Sequence, residues 1–373
     1  MRTVILFVSL SLIPAALAQP SSWSTWRGSA EMRGVSSEEL KFPLELKWKF
    51  SAKKPIKATA VSDGERVFIG DGGGSFYALN LKDGTKAWEF TLPNPKFKDP
   101  IEGSAALIDG TVVFGAGDGG VYCLDLATGK EKWKQMTDGE IKGAINIYRP
   151  EGQPPTLLVG SYDNTLYALK STDGSKLWTV PTSNYINGAA SLAGKQVLFG
   201  GCDGFLYMIN AETGKEEGKV EVKDPIANTV STNGKVAFLS HYGNAILAVD
   251  LATQKTKWSY SATDFPYFSS PAITDTVVIA GDRGKYLRCL NIETGDEKWA
   301  FRATGRVDSS PVVTGANVVF GSDDGRIYAV SLAEGKEVWS YEIGPAVQTS
   351  PCIVNERLVM GADDGVIYCF GAK

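Results

Sequence analysis

One pattern recurs along almost the whole chain. An aliphatic-Asp or -Asn pair closes an apolar run, a Thr/Asp-Gly pair follows, and a Trp opens the next run. Leu124-Asp125-Leu126-Ala127-Thr128-Gly129-Lys130-Glu131-Lys132-Trp133 is one copy. The pattern also ends at Trp88, Trp178, Trp258, Trp299 and Trp339, with a copy at Gly218 that has lost its Trp, and Trp48 is taken as the first landmark of the series. The spacings are 40, 45, 45, 40, 40, 41 and 40 residues. A period of this size belongs to units that cannot bury an apolar face alone and must stack on their neighbours.

Each unit carries four strand signals separated by Gly-containing turns. In the seventh they are residues 309–313, 317–321, 326–332 and 338–343, with Thr314-Gly315, Asp324-Gly325 and Glu334-Gly335 between them. Four antiparallel strands per ~40 residues predict a propeller blade. Apolar landmarks at Ile56, Ile101, Ile141, Ile186, Ile226, Tyr267, Val307 and Val347 open eight innermost strands. The eighth unit stops after Phe370 without a fourth strand. Leu44, Leu46, Trp48 and Phe50 alternate with Glu45, Lys47 and Lys49, which is a strand period. The expectation is therefore an all-β, eight-bladed propeller over 44–373, closed by this N-terminal strand, which leaves no open sheet edge at the joint. Two insertions stand out: an inter-blade loop at 91–99 and a longer turn at 148–155. Residues 19–43, with Trp23 and Trp26, show no periodicity and read as an irregular lead-in that packs its aromatics on the main body.

Residues 1–18 read as a secretory signal: Arg2, an apolar stretch from Val4 to Ile13, and Ala16-Leu17-Ala18 as cleavage site. Gln19 stands where a lipidated Cys would be required, so no lipid anchor is expected. No later stretch reaches the ~20 apolar residues of a membrane span. Export to the periplasm or extracellular space is the expectation, with an envelope or extracellular protein or a small ligand as partner. The formal charge of −4 includes no basic stripe, and nucleic acid is not an expected partner. Of the five cysteines, Cys123, Cys289 and Cys369 share a repeat position with Ala78, Ala168, Ala248 and Ala329, which asks for a small buried residue. No C-x-x-C pair supports redox or haem chemistry.

The seven tryptophans read as structural docking residues, each removing roughly 150–250 Å² from water. The Asp-Gly turns at Asp118, Asp203, Asp324 and Asp364 read as hairpin chemistry rather than calcium loops. His241, the only histidine, falls in a turn and reads as exposed and incidental. No catalytic, cofactor-binding or metal-binding residue emerges. The candidate binding face comes from the position after each landmark, which varies where the landmark does not: Lys57, Glu102, Lys142, Asn187, Ala227, Phe268, Asp308 and Gln348. That end of the innermost strands shares a face with the Asp-Gly turns and the 91–99 loop. Charge reversal at Lys57, Glu102 and Asp308 is expected to weaken partner capture without lowering the melting temperature.

The repeats Ala78 to Trp88, Cys123 to Trp133 and Ala248 to Trp258 (the last with Gln254 in place of Gly) resemble the tryptophan-docking motifs of the eight-bladed quinoprotein-like, or PQQ-like, propellers. The resemblance covers about 44–370. It implies either a non-enzymatic scaffold similar to the BamB-like outer-membrane assembly proteins or a small PQQ-dependent dehydrogenase with calcium. The vicinal Cys pair and long insertions of the dehydrogenases are missing here, which points to the scaffold. A carbohydrate- or peptide-binding propeller is the third reading.

Overall fold

A computed structural model describes residues 22–93, 99–262 and 264–373. The proposed signal and the centre of the 91–99 loop, residues 94–98, lie outside the described residues. Eight sheets are arranged in sequence order, and we number the blades 1 to 8 by their innermost strands. Blade 1 comprises Val61–Ser62, Arg66–Gly70, Ser75–Asn80 and Lys86–Thr91, all antiparallel. In blade 8, Leu44–Ser51 pairs with Val366–Ala372 as the outermost strand, so the two ends of the propeller repeat meet in one sheet.

The innermost strands are shorter than their sequence pattern suggests. In blade 7 the strand is Val312–Thr314 rather than 309–313. Upstream of it, backbone amides turn sideways to hydroxyls of the neighbouring blade: Ser310 N–H to Ser350 Oγ at 3.1 Å, Ser350 to Thr59 Oγ1 at 2.9 Å, Thr59 to Ser104 Oγ at 3.1 Å, and Ala189 to Thr229 Oγ1 at 2.8 Å. Thr229 and Ser270 continue the girdle, to Ser270 Oγ and Ser310 Oγ. Only Ala144 and Ala189 interrupt it, having no hydroxyl to offer.

The repeat tryptophans weld the rim. In each blade one residue is bulged out of register immediately before the Trp position, as Lys132 is between Glu131 and Trp133. A bulge re-aims the following side chain, here toward the next blade. Each indole then donates to a carbonyl across the joint: Trp48 to Leu81 at 2.8 Å, Trp88 to Leu126 at 3.1 Å, Trp133 to Ser171 and Trp178 to Ala211 at 3.1 Å, Trp258 to Ile292 and Trp299 to Leu332 at 2.9 Å. Trp339 donates to Leu44, where the chain ends meet. The turn glycine has two reasons to be there. Gly129 has φ +70°, and a Cβ on it would stand 2.6 Å from the Trp88 ring. The small Ala/Cys position lies directly across the ladder from the same Trp, as in Cys123 to Trp133 and Cys369 to Trp48. Cys123, Cys289 and Cys369 are buried free thiols raised by burial above the ordinary range.

Gly218 is therefore not a decayed copy. Met208 takes the small-residue position across the ladder from it, and Gln254 replaces the docking glycine of blade 5. A Cβ on Gly218 would lie 2.3 Å from Gln254 Nε2, which donates to Glu217 O at 3.2 Å. Bulk has moved from one side of the joint to the other.

Residues 23–38 belong to the expected lead-in and carry only Trp26–Gly28 and Val35–Ser36 as regular elements. They cross the mouth opposite the landmark end and reach every blade. Trp23 exchanges backbone hydrogen bonds with Ser62 at 2.9 and 3.0 Å, and Leu107 donates to Ser24. Asn146 Nδ2 and the Leu192 amide both donate to Ala30 O. Thr232, Ile273 and Val313 donate to Glu31, Arg33 and Gly34, and the amides of Asn355 and Glu356 donate to the Glu38 carboxylate. In six of the eight blades an amide on the unpaired inner edge thus finds an acceptor in the segment, as buried amides require. Val35–Ser36 even pairs in parallel with blade 7. Trp23 is 3 % exposed, as the sequence pattern of packed aromatics anticipates. Met32 packs on Ala144 and Ala189, where the girdle lacks hydroxyls.

His241 also departs from expectation: it is 5 % exposed, and its Nδ1 accepts the Gly243 amide at 2.9 Å. It stands at the position of Asp71 in blade 1 and Asp282 in blade 6, and accepts the amide two residues on as Asp71 does from Gly73. Burial lowers its pKa below 6.5, against an opposing pull from Asp224. The unfolded chain therefore takes up this proton first as pH falls, and the imidazole's share of stability is lost below about pH 6.5. A His241→Asn variant, which keeps an acceptor that does not titrate, is expected to show a shallower loss of urea midpoint between about pH 6.5 and 5. Identical slopes would remove His241 from the acid response.

Candidate functional site: the mouth of the channel

The positions that vary in sequence converge. Lys57, Glu102, Lys142, Asn187, Ala227, Phe268, Asp308 and Gln348 all line the central cup of ≈ 180 Å³, together with the hydroxyl girdle, and Trp26 of the N-terminal segment lines it as well. Seven of the eight landmarks below them are fixed by a glycine of the preceding blade, Ser240 taking that place before Tyr267: a Cβ on Gly70 would meet Ile101 at 2.3 Å, and one on Gly361 would meet Ile56 at 2.2 Å. Invariant packing thus holds a ring whose next residue is free to differ.

A second ring surrounds the first and escaped the sequence reading. It comprises Gly72, Gly117, Tyr162, Cys202, Tyr242, Arg283, Asp323 and Asp363. Each of these donates its backbone amide to the carbonyl of the residue before its own blade's landmark, as Tyr162 does to Glu140 and Arg283 to Pro266. The signal was available: this is the second residue after the Gly (Ser240 in blade 5) that ends each second strand. It was hidden because the Asp-Gly turn beside it dominates the pattern.

The two rings interlock, five of the eight inner residues meeting the outer residue of the blade before. Lys57 Nζ reaches Asp363 at 2.6 Å and Gln348 Oε1 at 2.8 Å, and Gln348 donates to Asp323 at 2.8 Å. Asp308 receives Arg283 in two-point contact, Nη2 at 2.7 Å and Nε at 3.0 Å. Arg283 also lies 3.4 Å over the Phe268 ring. The Tyr162 hydroxyl donates to Asn187 Oδ1 at 2.6 Å, and Phe268 meets Tyr242 edge-on with centroids 4.7 Å apart. Burial raises the Asp323 carboxyl, with nearby Asp308 adding to the effect. Glu102 and Lys142 differ, since glycines occupy the outer ring before them. Lys142 turns instead to Glu140 at 3.3 Å and to the Tyr162 face at 4.9 Å.

Charge reversal at the three positions is consequently not equivalent. Lys57 and Asp308 are partly buried and hold ion pairs across blade joints, so reversing either is expected to cost stability as well as binding. Glu102 alone tests the face without touching a joint.

The Asp-Gly turns serve the fold. Asp203, Asp324 and Asp364 accept the hydroxyls of Tyr207, Tyr328 and Tyr368 at 2.6, 2.8 and 2.7 Å, and Asp118 that of Tyr122. Burial, then the carboxylate, pushes the Tyr328 phenol up to about 12. In blade 6 the same place is taken by Arg288, 2.9 Å from Asp282 and 2.7 Å from Glu297. Among the described residues no three His, Cys, Asp or Glu side chains are grouped as a metal site, and no helix is long and apolar enough to cross a membrane.

The sequence profile of the family described as outer membrane protein assembly factor BamB matches residues 45–102, 96–266 and 267–372. No curated protein sequence matches significantly. Among solved structures, BamB from Moraxella catarrhalis superposes with a TM-score of 0.73 at 18% identity, covering 89% of this chain and 98% of that one. The quinohemoprotein alcohol dehydrogenase from Comamonas testosteroni gives 0.77 at 14% identity, covering 96% and 82%. The computationally designed protein Ika8 gives 0.76 at 17%, covering 88% and 100%. At these identities the likeness is one of fold.

Proposed function

The chain belongs to the family of the outer membrane protein assembly factor BamB, and from that premise we propose that it is an exported, non-enzymatic scaffold whose two-ring face holds a partner protein or ligand. The observation that carries this reading is the interlocking of the rings. Polar side chains at the mouth are braced from the neighbouring blade, which gives a rigid, pre-organised surface and lowers the entropic cost of binding.

What speaks against the dehydrogenase alternative is the chemistry of the same groups. Pyrroloquinoline quinone is a polyanion that family enzymes hold with calcium. Here Lys57, Arg283 and Lys142 are each engaged by a carboxylate: Asp363, Asp308 and Glu140. The grouped acidic ligands an ion needs are lacking among the described residues. This engagement of the basic groups supports the scaffold reading over the quinone one.

A photo-crosslinking residue at position 102, in cells, is expected to trap an envelope protein. Glu102→Lys is expected to weaken that capture at least about tenfold while unfolding stability stays within about 0.5 kcal/mol, as for an ordinary surface change. A quinone absorption spectrum with dye reduction, on adding PQQ and Ca²⁺ to purified protein, would overturn the reading.

A further inference from the structure

The two rings divide the mouth into sectors of different chemistry. From blade 6 to blade 8 the outer residues Arg283, Asp323 and Asp363 are sealed against the following inner residues. From blade 3 to blade 5 the wall is aromatic. Tyr185 stacks on Tyr162 with centroids 4.8 Å apart at 11°, while Tyr242 packs on Phe268. Tyr185 and Tyr242 are 49 % and 44 % exposed. Ala227, the one inner-ring residue that ends at Cβ, lines the cup between these pairs in ring order, with Cys202 as the outer-ring residue of the blade before it, so only small side chains stand between the two aromatic pairs. Around blades 1 and 2 the surface is low: Pro55, Gly72 and Pro100, with Lys57, Glu102, Glu140 and Lys142, line a recess of ≈ 420 Å³. Glu102 is the one inner-ring charge with no ion pair among the described residues.

We propose that the mouth takes an extended peptide segment of a partner protein, with an aromatic or large apolar side chain seated over Ala227 between Tyr185 and Tyr242, and a Lys or Arg on Glu102. This rests on the scaffold reading and names what the scaffold holds. Paired, half-exposed tyrosines flanking small side chains match the anchor pockets of protein interfaces, where aromatic rings carry most of the binding energy. Charge complementarity supplies the second contact: a cation on Glu102 pairs the remaining charge of the ring, whereas an anionic ligand is repelled by it and an uncharged saccharide leaves it unanswered.

The test uses the purified chain and random peptides displayed on phage. Enriched peptides are expected to combine Trp, Tyr or Phe with Lys or Arg. As synthetic peptides they are expected to bind at least tenfold more weakly to Glu102→Gln and to Ala227→Leu, the first loss shrinking as salt rises. Thermal unfolding checks that Ala227→Leu folds, and Tyr242→Ser, on the exposed wall, is the second probe of the Ala227 seat. Lys130→Ala, on an outer turn, is expected to leave binding unchanged. Peptides that bind all variants equally would overturn this site and leave the scaffold reading standing. Failure to enrich any peptide, or tyrosine-dependent binding of uncharged oligosaccharides instead, would overturn the inference too. The scaffold reading itself falls on the separate quinone titration.

Discussion

Removing residues 22–40 is expected to cost more stability than any single substitution in the blades. The segment buries Trp23, Met32 and Leu40 at 3 %, 0 % and 1 % exposure. Each such side chain contributes roughly 1.5–3 kcal/mol, so about 5–9 kcal/mol is at stake from apolar burial alone. The truncated chain also uncovers the inner-strand amides at Leu107, Leu192, Thr232, Ile273 and Val313, which donate to this segment. Arg27 works the other way in part. It is 1 % exposed, and its Nε and Nη2 donate to Met32 O at 2.9 Å and Pro271 O at 2.6 Å. Burial pushes this guanidinium down to about 9, a cost that leaves with the segment, so the expected loss rests on the apolar burial and the uncovered amides. Urea unfolding and amide exchange of the truncated protein give the check. A midpoint equal to that of the full chain would reduce the segment to decoration.

The second large effect is expected at the joint between blades 4 and 5. Gly218→Trp alone should destabilise by about 1–3 kcal/mol, as overpacking does, because Gln254 and Met208 already fill the space. Adding Gln254→Gly and Met208→Ala rebuilds the small partner, the docking glycine and the indole seen at the other joints. The triple variant should recover the loss and exceed the parent, with a coupling of about 1–3 kcal/mol between the three sites. For comparison, Trp258→Ala at an intact joint should cost about 3–5 kcal/mol. If the three substitutions simply add, Gly218, Gln254 and Met208 are not a compensating set.

Both effects rest on contacts that periodicity cannot reveal. Gly218 and Gln254 each look like an independent lapse in the repeat, since they are 36 residues apart and in different units. Only the stacking of blades shows that each faces the other. His241 looks like a surface turn residue because turns usually face water, yet its imidazole points inward and replaces an aspartate.

What the amino-acid order determined by itself was the ring: four strands per unit, eight units, the tryptophan joints and the closure by Leu44–Ser51. These are local, repeated choices of turn glycine, alternating apolar residues and one large ring per unit, and repetition multiplies a weak signal. The inner mouth ring was legible for the same reason, as the variable position beside an invariant one. The tertiary structure alone decided which of those residues are braced and which stand free, that an outer ring flanks them, and that an aperiodic segment crosses the opposite mouth. Those outcomes depend on which side chains face one another across blades, and hydrogen bonds between residues such as Lys57 and Asp363, 306 positions apart, leave no trace in a local pattern.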